Sequence, residues 1–148
     1  MAQQILLIED NPRDTELTKR ALEKANVMNP LMVVEDGAET LQYFFGEDGE
    51  SGCASADLPI VTLLDLNLPK INGLEVLRRL RASEKTRRIP VVVFTSSSEE
   101  KDLLASYNLG ANNFVRKPVK FADFAEAIKQ LGLYWLILNQ PAENSIQI

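Results

Sequence analysis

The sequence predicts a doubly wound α/β fold, a five-stranded parallel sheet with helices on both faces. Three observations carry that reading. Short unbroken apolar runs recur along the chain, segments of helical period separate them, and residues that start or stop helices stand at the boundaries. The 148 residues are enough for one domain with a sizeable core.

The elements follow in order. Ile5–Ile8, Leu31–Val34, residues 60–64, residues 91–94 and residues 114–115 are the apolar runs. They are brief, rich in β-branched residues and do not alternate, so at least the first four read as strands buried on both faces. Asn11-Pro12 opens the first helix, because proline suits the first helical position, and Leu17, Ala21 and Ala25 continue it at fourfold spacing. Residues 38–45 form a second helix. A third follows the turn pair Asn72-Gly73, with Leu74, Leu77, Leu80 and Arg81 on its periodic positions. Ser98 opens a fourth helix running through Leu104, Gly110 stops it, and a fifth starts near Phe121. Five strand-then-helix units imply parallel pairing with right-handed crossovers. Residues 46–58 make one long loop, either a surface excursion or a partner contact.

Composition removes several function classes. Apolar residues make up 45% and charged residues 25%, which argues against wholesale disorder. A formal charge of −5 makes nucleic acid and anionic membrane poor partners. Cys53 is alone, so no internal disulfide or cysteine metal cluster is possible. With no histidine, the chain has no Ser–His or Cys–His nucleophile and cannot carry phosphohistidine itself. No stretch reaches the eighteen or so apolar residues needed to span a bilayer, and no leader is evident, so a cytoplasmic location is expected. The basic stretch Arg78, Arg79, Arg81, Lys85, Arg87 and Arg88 reads as a solvated face rather than a docking patch.

In parallel sheets of this kind ligands sit beyond the carboxyl ends of the strands. Here the first apolar run ends in Glu9-Asp10, the third in Asp65, the fourth in Thr95-Ser96 and the fifth in Lys117-Pro118. Acids, a hydroxyl and an ammonium are thus delivered to one rim, which marks that rim as a site.

With Asn67 and Pro69 behind Asp65, then Asn72-Gly73 and Gly110-Ala111, these residues resemble the receiver domain of two-component response regulators. The resemblance implies the flavodoxin-like (βα)5 topology over a receiver domain of residues 1–131. It implies that Asp65 accepts a phosphoryl group from a sensor histidine kinase. Mg2+ would be held by Glu9, Asp10, Asp65 and the Asn67 carbonyl, since that ion favours oxygen ligands and keeps several waters. Lys117 would set an ammonium against a phosphoryl oxygen, and Thr95 would donate its hydroxyl. Thr95 and Phe114 would form the switch that alters the face built by the fourth helix, fifth strand and fifth helix, although Phe114 also reads as a plain core aromatic. Such a protein is no enzyme beyond its own phosphorylation and dephosphorylation. An aspartyl-phosphate hydrolase of the haloacid dehalogenase type is the alternative, but it wants an acid where Asn67 stands. A degenerate receiver and a flavodoxin-like cofactor binder fit less well.

The last helix continues past the usual length. Phe121, Phe124, Ile128, Leu131, Trp135 and Leu138 hold a 3-4 spacing, so an apolar seam is expected, running into a C-terminal extension over 132–148. Either the extension folds back on its own domain or it pairs two chains as a homodimer, the reading taken here. The segment from Leu133 to Pro141 resembles the tail of single-domain response regulators paired with cyanobacterial phytochrome kinases, which implies a bacterial phytochrome as the kinase.

Overall fold

The computed structural model of the chain describes residues 4–25, 27–49, 51–54, 57–95, 105–117 and 120–130; for Thr95, Ile128 and Gln130 it describes the backbone alone. Five parallel strands, β1 (Ile5–Ile8), β2 (Leu31–Val34), β3 (Val61–Asp65), β4 (Val91–Thr95) and β5 (Asn113–Arg116), form one sheet in the order β2-β1-β3-β4-β5. The helices are α1 (Pro12–Lys24), α2 (Gly37–Phe45), α3 (Gly73–Ala82), α4, described over residues 105–108, and α5 (Phe121–Gln130).

Strand alternation divides the core in two. Ile5, Leu7, Val61, Leu63, Val92 and Phe94 pack with Ala21 and Leu22 of α1 and Phe124 and Ala127 of α5. Leu6, Ile8, Leu64, Val91 and Val93 face the other way, onto Phe44 of α2 and Val76, Leu77 and Leu80 of α3. Each large apolar side chain among these contributes about 1.5–3 kcal/mol by leaving water, which is why the three central strands are mostly apolar, with Thr62 of β3 a buried exception.

The helix starts follow their capping chemistry. Asn11 accepts the Arg13 and Asp14 N–H groups with Pro12 at the first helical position, Asp36 accepts the Glu39 N–H, and Asn72 accepts the Glu75 N–H.

Two expectations change. β2 is not buried on both faces: it is a sheet edge, and only Val34 is fully covered. The fourth helix, described over residues 105–108, ends just before Gly110 as expected, and its start lies outside the described residues. The 46–58 loop, where described, is tied back rather than projecting. The Cys53 N–H donates to the Tyr43 carbonyl at 2.9 Å, and Cys53 and Leu58 pack on the α2–α3 side of the core.

The basic stretch is also more structural than a solvated face. Arg78 and Arg79 pair with Glu75, and Lys85 donates to the Phe44 carbonyl. Half-buried Arg81 donates to the carbonyls of Arg87, Ile89 and Gly110 and to Asn112 Oδ1.

Of the expected dimer seam, Phe121 is 46% exposed, but Phe124 is fully buried in its own protomer's core. Phe124 is therefore corrected from interface to core: the shared spacing cannot distinguish a helix's intramolecular contact from an intermolecular one. Leu131, Trp135, Leu138 and the whole 132–148 extension lie outside the described residues.

Candidate functional site

The strand order reverses direction between β1 and β3, and a crevice opens there beyond their carboxyl ends. Register brings the functional residues level. Ile8 pairs with Leu64, so Glu9 and Asp65 leave adjacent strands side by side. Asp65 pairs with Phe94, Thr95 is the next residue of β4, and Thr95 pairs with Arg116, immediately before Lys117. Two strand spacings, roughly 9–10 Å, separate β5 from β3, a gap that a long lysine stem can cross.

Lys117 does cross it. Its Nζ lies 2.6 Å from Glu9 Oε1, 2.9 Å from Asp14 Oδ2 and 3.2 Å from Asp65 Oδ2. The lysine side chain is 9% exposed, Glu9 0% and Asp65 4%. Burial alone would disfavour the ammonium, but contacts with Glu9 and Asp14 and the Asp65 charge outweigh it, so its pKa is raised.

Glu9 responds in the opposite sense. Burial, reinforced by repulsion from Asp65, exceeds the attraction of Lys117 and pushes its carboxyl up to about 7. Its Oε2 accepts the Asn11 N–H at 3.2 Å. Its Oε1 is buried beside the ammonium yet receives no directed hydrogen bond.

Asp65 is oriented by its own loop. The Asn67 N–H donates to Asp65 Oδ1 at 3.1 Å, leaving Oδ2 toward Lys117. Behind it, the Gly73 N–H donates to the Leu66 carbonyl, and a Cβ on Gly73 would come within 2.5 Å of the Asp65 carbonyl oxygen. Only glycine lets α3 start that close to the end of β3.

Asp10 is exposed at the rim, and carboxylate oxygens of Glu9, Asp10 and Asp65 lie within 4.8 Å of one another. Among the described residues, four acids, with Asp14, gather there around the one ammonium of Lys117, which contacts three of them. An oxygen-only donor set, an under-neutralised rim and a buried carboxylate oxygen that accepts no directed hydrogen bond together fit a hard divalent cation.

Asn67 is exposed two residues beyond Asp65. Thr95 is placed by its backbone on the next strand, while Ser96 and Pro118 lie outside the described residues. Phe114 is partly buried on the α2–α3 side of the core, and its ring meets that of Tyr107 edge-on at 5.0 Å. Sequence reasoning missed Asp14. Its place in the first turn of α1, four residues after Asp10, puts it on the same rim, but that signal is weak because acids are common in first turns.

A model of the response regulator receiver domain matches residues 5–129. Among curated proteins, the probable methanogenesis regulatory protein FilR2 of Methanothrix harundinacea is 37% identical, over 92% of this chain and 85% of that one. Response regulator Rcp1 of Synechocystis is 35% identical, over 89% and 88%. Among solved structures, bacteriophytochrome response regulator RtBRR is 48% identical over 99% of this chain and 88% of that one, with a TM-score of 0.81. The Mn(2+)-bound form of Rcp1 is 32% identical over 90% and 94%, with a TM-score of 0.71. The phosphorylated cyanobacterial phytochrome response regulator RcpA is 34% identical over 92% and 95%, with a TM-score of 0.73.

Proposed function

This chain belongs to the response regulator receiver family, and from that premise we propose that it is a stand-alone response regulator that takes a phosphoryl group onto Asp65. The observation that carries the reading is the meeting of Asp65 Oδ2 with the Lys117 ammonium at 3.2 Å inside a rim of further acids.

The donor is a phosphohistidine on a sensor kinase, because this chain has no histidine of its own. An Asp65 oxygen attacks phosphorus, the bond from phosphorus to the donor imidazole nitrogen breaks, and the imidazole leaves. Transfer of this kind needs positioning and charge cancellation more than covalent help. The Asn67 N–H fixes the rotation of the Asp65 carboxylate. Lys117 offers its ammonium to an incoming phosphoryl oxygen, and Thr95, beside Asp65 on β4, offers its hydroxyl to another. Glu9, Asp10, Asp65 and the Asn67 carbonyl would hold Mg2+, which when bound cancels the repulsion between carboxylate and phosphoryl group.

Output follows from what Thr95 does next. Drawn toward the new phosphoryl oxygens, it vacates space that Phe114 can enter, and the Tyr107–Phe114 ring contact couples that movement to the outer surface of α4, β5 and α5. Tyr107 is 48% exposed, so this face can present the change to a partner. Assembly as a homodimer through the 132–148 extension with exposed Phe121 belongs to the same reading, as does a cytoplasmic location. Among the described residues no helix is long and apolar enough to cross a membrane. Pairing with a phytochrome kinase is supported by RtBRR and RcpA, whose names say that they serve phytochromes.

Acetyl phosphate with Mg2+ should label the protein with one phosphoryl group per chain, and Asp65→Asn should not be labelled. Equal labelling of both would reject Asp65 as the acceptor. For assembly, the full chain should sediment as a dimer and a chain ending at residue 130 as a monomer; identical masses would remove the extension from the interface.

A further inference from the structure

We propose that Asp14 is a positioning residue that parks Lys117 while Asp65 is unmodified and gives it up when a phosphoryl group arrives. The inference rests on the phosphoacceptor reading of Asp65.

A lysine ammonium has three N–H donors. Here three carboxylate oxygens crowd it, at 2.6, 2.9 and 3.2 Å, so an incoming phosphoryl oxygen has to displace one of them. To bind a phosphoryl oxygen, Lys117 must release one partner. Glu9 is a poor choice, since its side chain is 0% exposed and water cannot replace the lost charge. Asp65 is the group being modified. Asp14 is 27% exposed, so its carboxylate can be rehydrated at low cost once the lysine leaves.

The contact with Asp14 is also a directed hydrogen bond, Lys117 Nζ donating to Asp14 Oδ2, whereas Glu9 Oε1 receives none. The Asp14 backbone is immobilised from both sides: its N–H donates to Asn11 Oδ1 at 3.2 Å, and its carbonyl accepts the Thr18 hydroxyl at 2.9 Å. The helix therefore holds the carboxylate at a fixed place on the rim, and only the side chain has to turn. Its negative charge is further favoured by the N-terminal end of α1. A fixed, half-wet acid beside a buried lysine competes with the phosphoryl group for the same ammonium.

The test is a titration of the full chain with beryllofluoride, a phosphoryl mimic, in Mg2+ buffer, following the bound fluoride by 19F NMR. Asp14→Asn should lower the half-saturating concentration about three- to fivefold, the span expected for freeing one partly exposed ion pair. Asp14→Glu, which keeps the negative charge that Asp14→Asn removes, should stay near wild type. Glu16→Gln removes a charge from the same helix that pairs with Arg20 instead, and should change nothing. A residue that merely supported the fold would not tighten binding when removed. Unchanged or weaker binding by Asp14→Asn overturns the proposal, as does an equal gain from Glu16→Gln. Should Asp14→Asn fail to fold, Asp14→Ser makes the same comparison. If the wild-type chain itself does not bind beryllofluoride, the Asp65 reading fails first and the parking role with it.

Discussion

Two cations largely withdrawn from water, Lys117 and Arg81, stand at opposite poles of how this molecule uses charge. Lys117 is ringed by carboxylates from β1, α1 and β3, and their negative charge holds its pKa up. Arg81 is held by neutral acceptors, three backbone carbonyls and the Asn112 side chain, and burial alone draws its pKa down. Acceptors that belong to the backbone cannot leave without unfolding the loops they sit in, so Arg81 is a permanent staple joining α3 to the segments that lead into β4 and β5. Gly110, at φ 100°, gives it room: a Cβ there would come within 2.9 Å of Arg81 Nε. Carboxylates on separate elements can exchange partners, and the rim holds more of them than one ammonium can neutralise. The difference is between a charge used for fixture and a charge kept for transfer.

That contrast can be broken by substitution. Lys117→Gln should slow acetyl phosphate labelling on the order of a hundredfold, the usual cost of losing a donor aimed at a developing charge, while unfolding stays cooperative. Arg81→Ala should do the reverse, costing about 2–4 kcal/mol in denaturant melts by removing four hydrogen bonds, with labelling of the folded fraction retained. If both variants lose stability alike, or both lose labelling alike, the division between fixture and transfer is false.

The smallest effect is in pH. Without metal, the Glu9 carboxyl sits at about 7 against an ordinary value of 4.5. Between those values the folded chain keeps a proton that the unfolded chain has released, so this group's contribution to stability is full below 4.5 and is lost as pH rises toward 7. Mg2+ selects the ionised form, so metal affinity moves the other way. It should rise about tenfold between about pH 6 and pH 8, and Glu9→Gln should flatten that rise. Calorimetric titration at the two pH values checks it.

What the sequence made legible follows the same division. Residues that do chemistry stand at strand ends, where an acid or ammonium interrupts an apolar run, so Glu9, Asp10, Asp65, Thr95 and Lys117 could be read together and the fold brings their strand ends to one rim. The strands were readable because three of them are buried on both faces, and β2 was over-read only because an edge strand is as apolar here as a central one. In the sequence Arg81 reads as part of a solvated basic run, because its partners are carbonyls up to 29 residues away, which leave no mark in side-chain pattern. Phe124 was placed in a dimer seam because helical period says which residues share a face but not what covers it. Asp14 was passed over because a first-turn acid already has a reason to be there, in the helix dipole.

The most direct test of the central claim is to find the phosphoryl group itself. After labelling with acetyl phosphate and Mg2+, borohydride reduction followed by peptide mapping should convert Asp65, and no other aspartate, to homoserine. Homoserine at Asp10, Asp14 or any residue other than Asp65 would contradict the account.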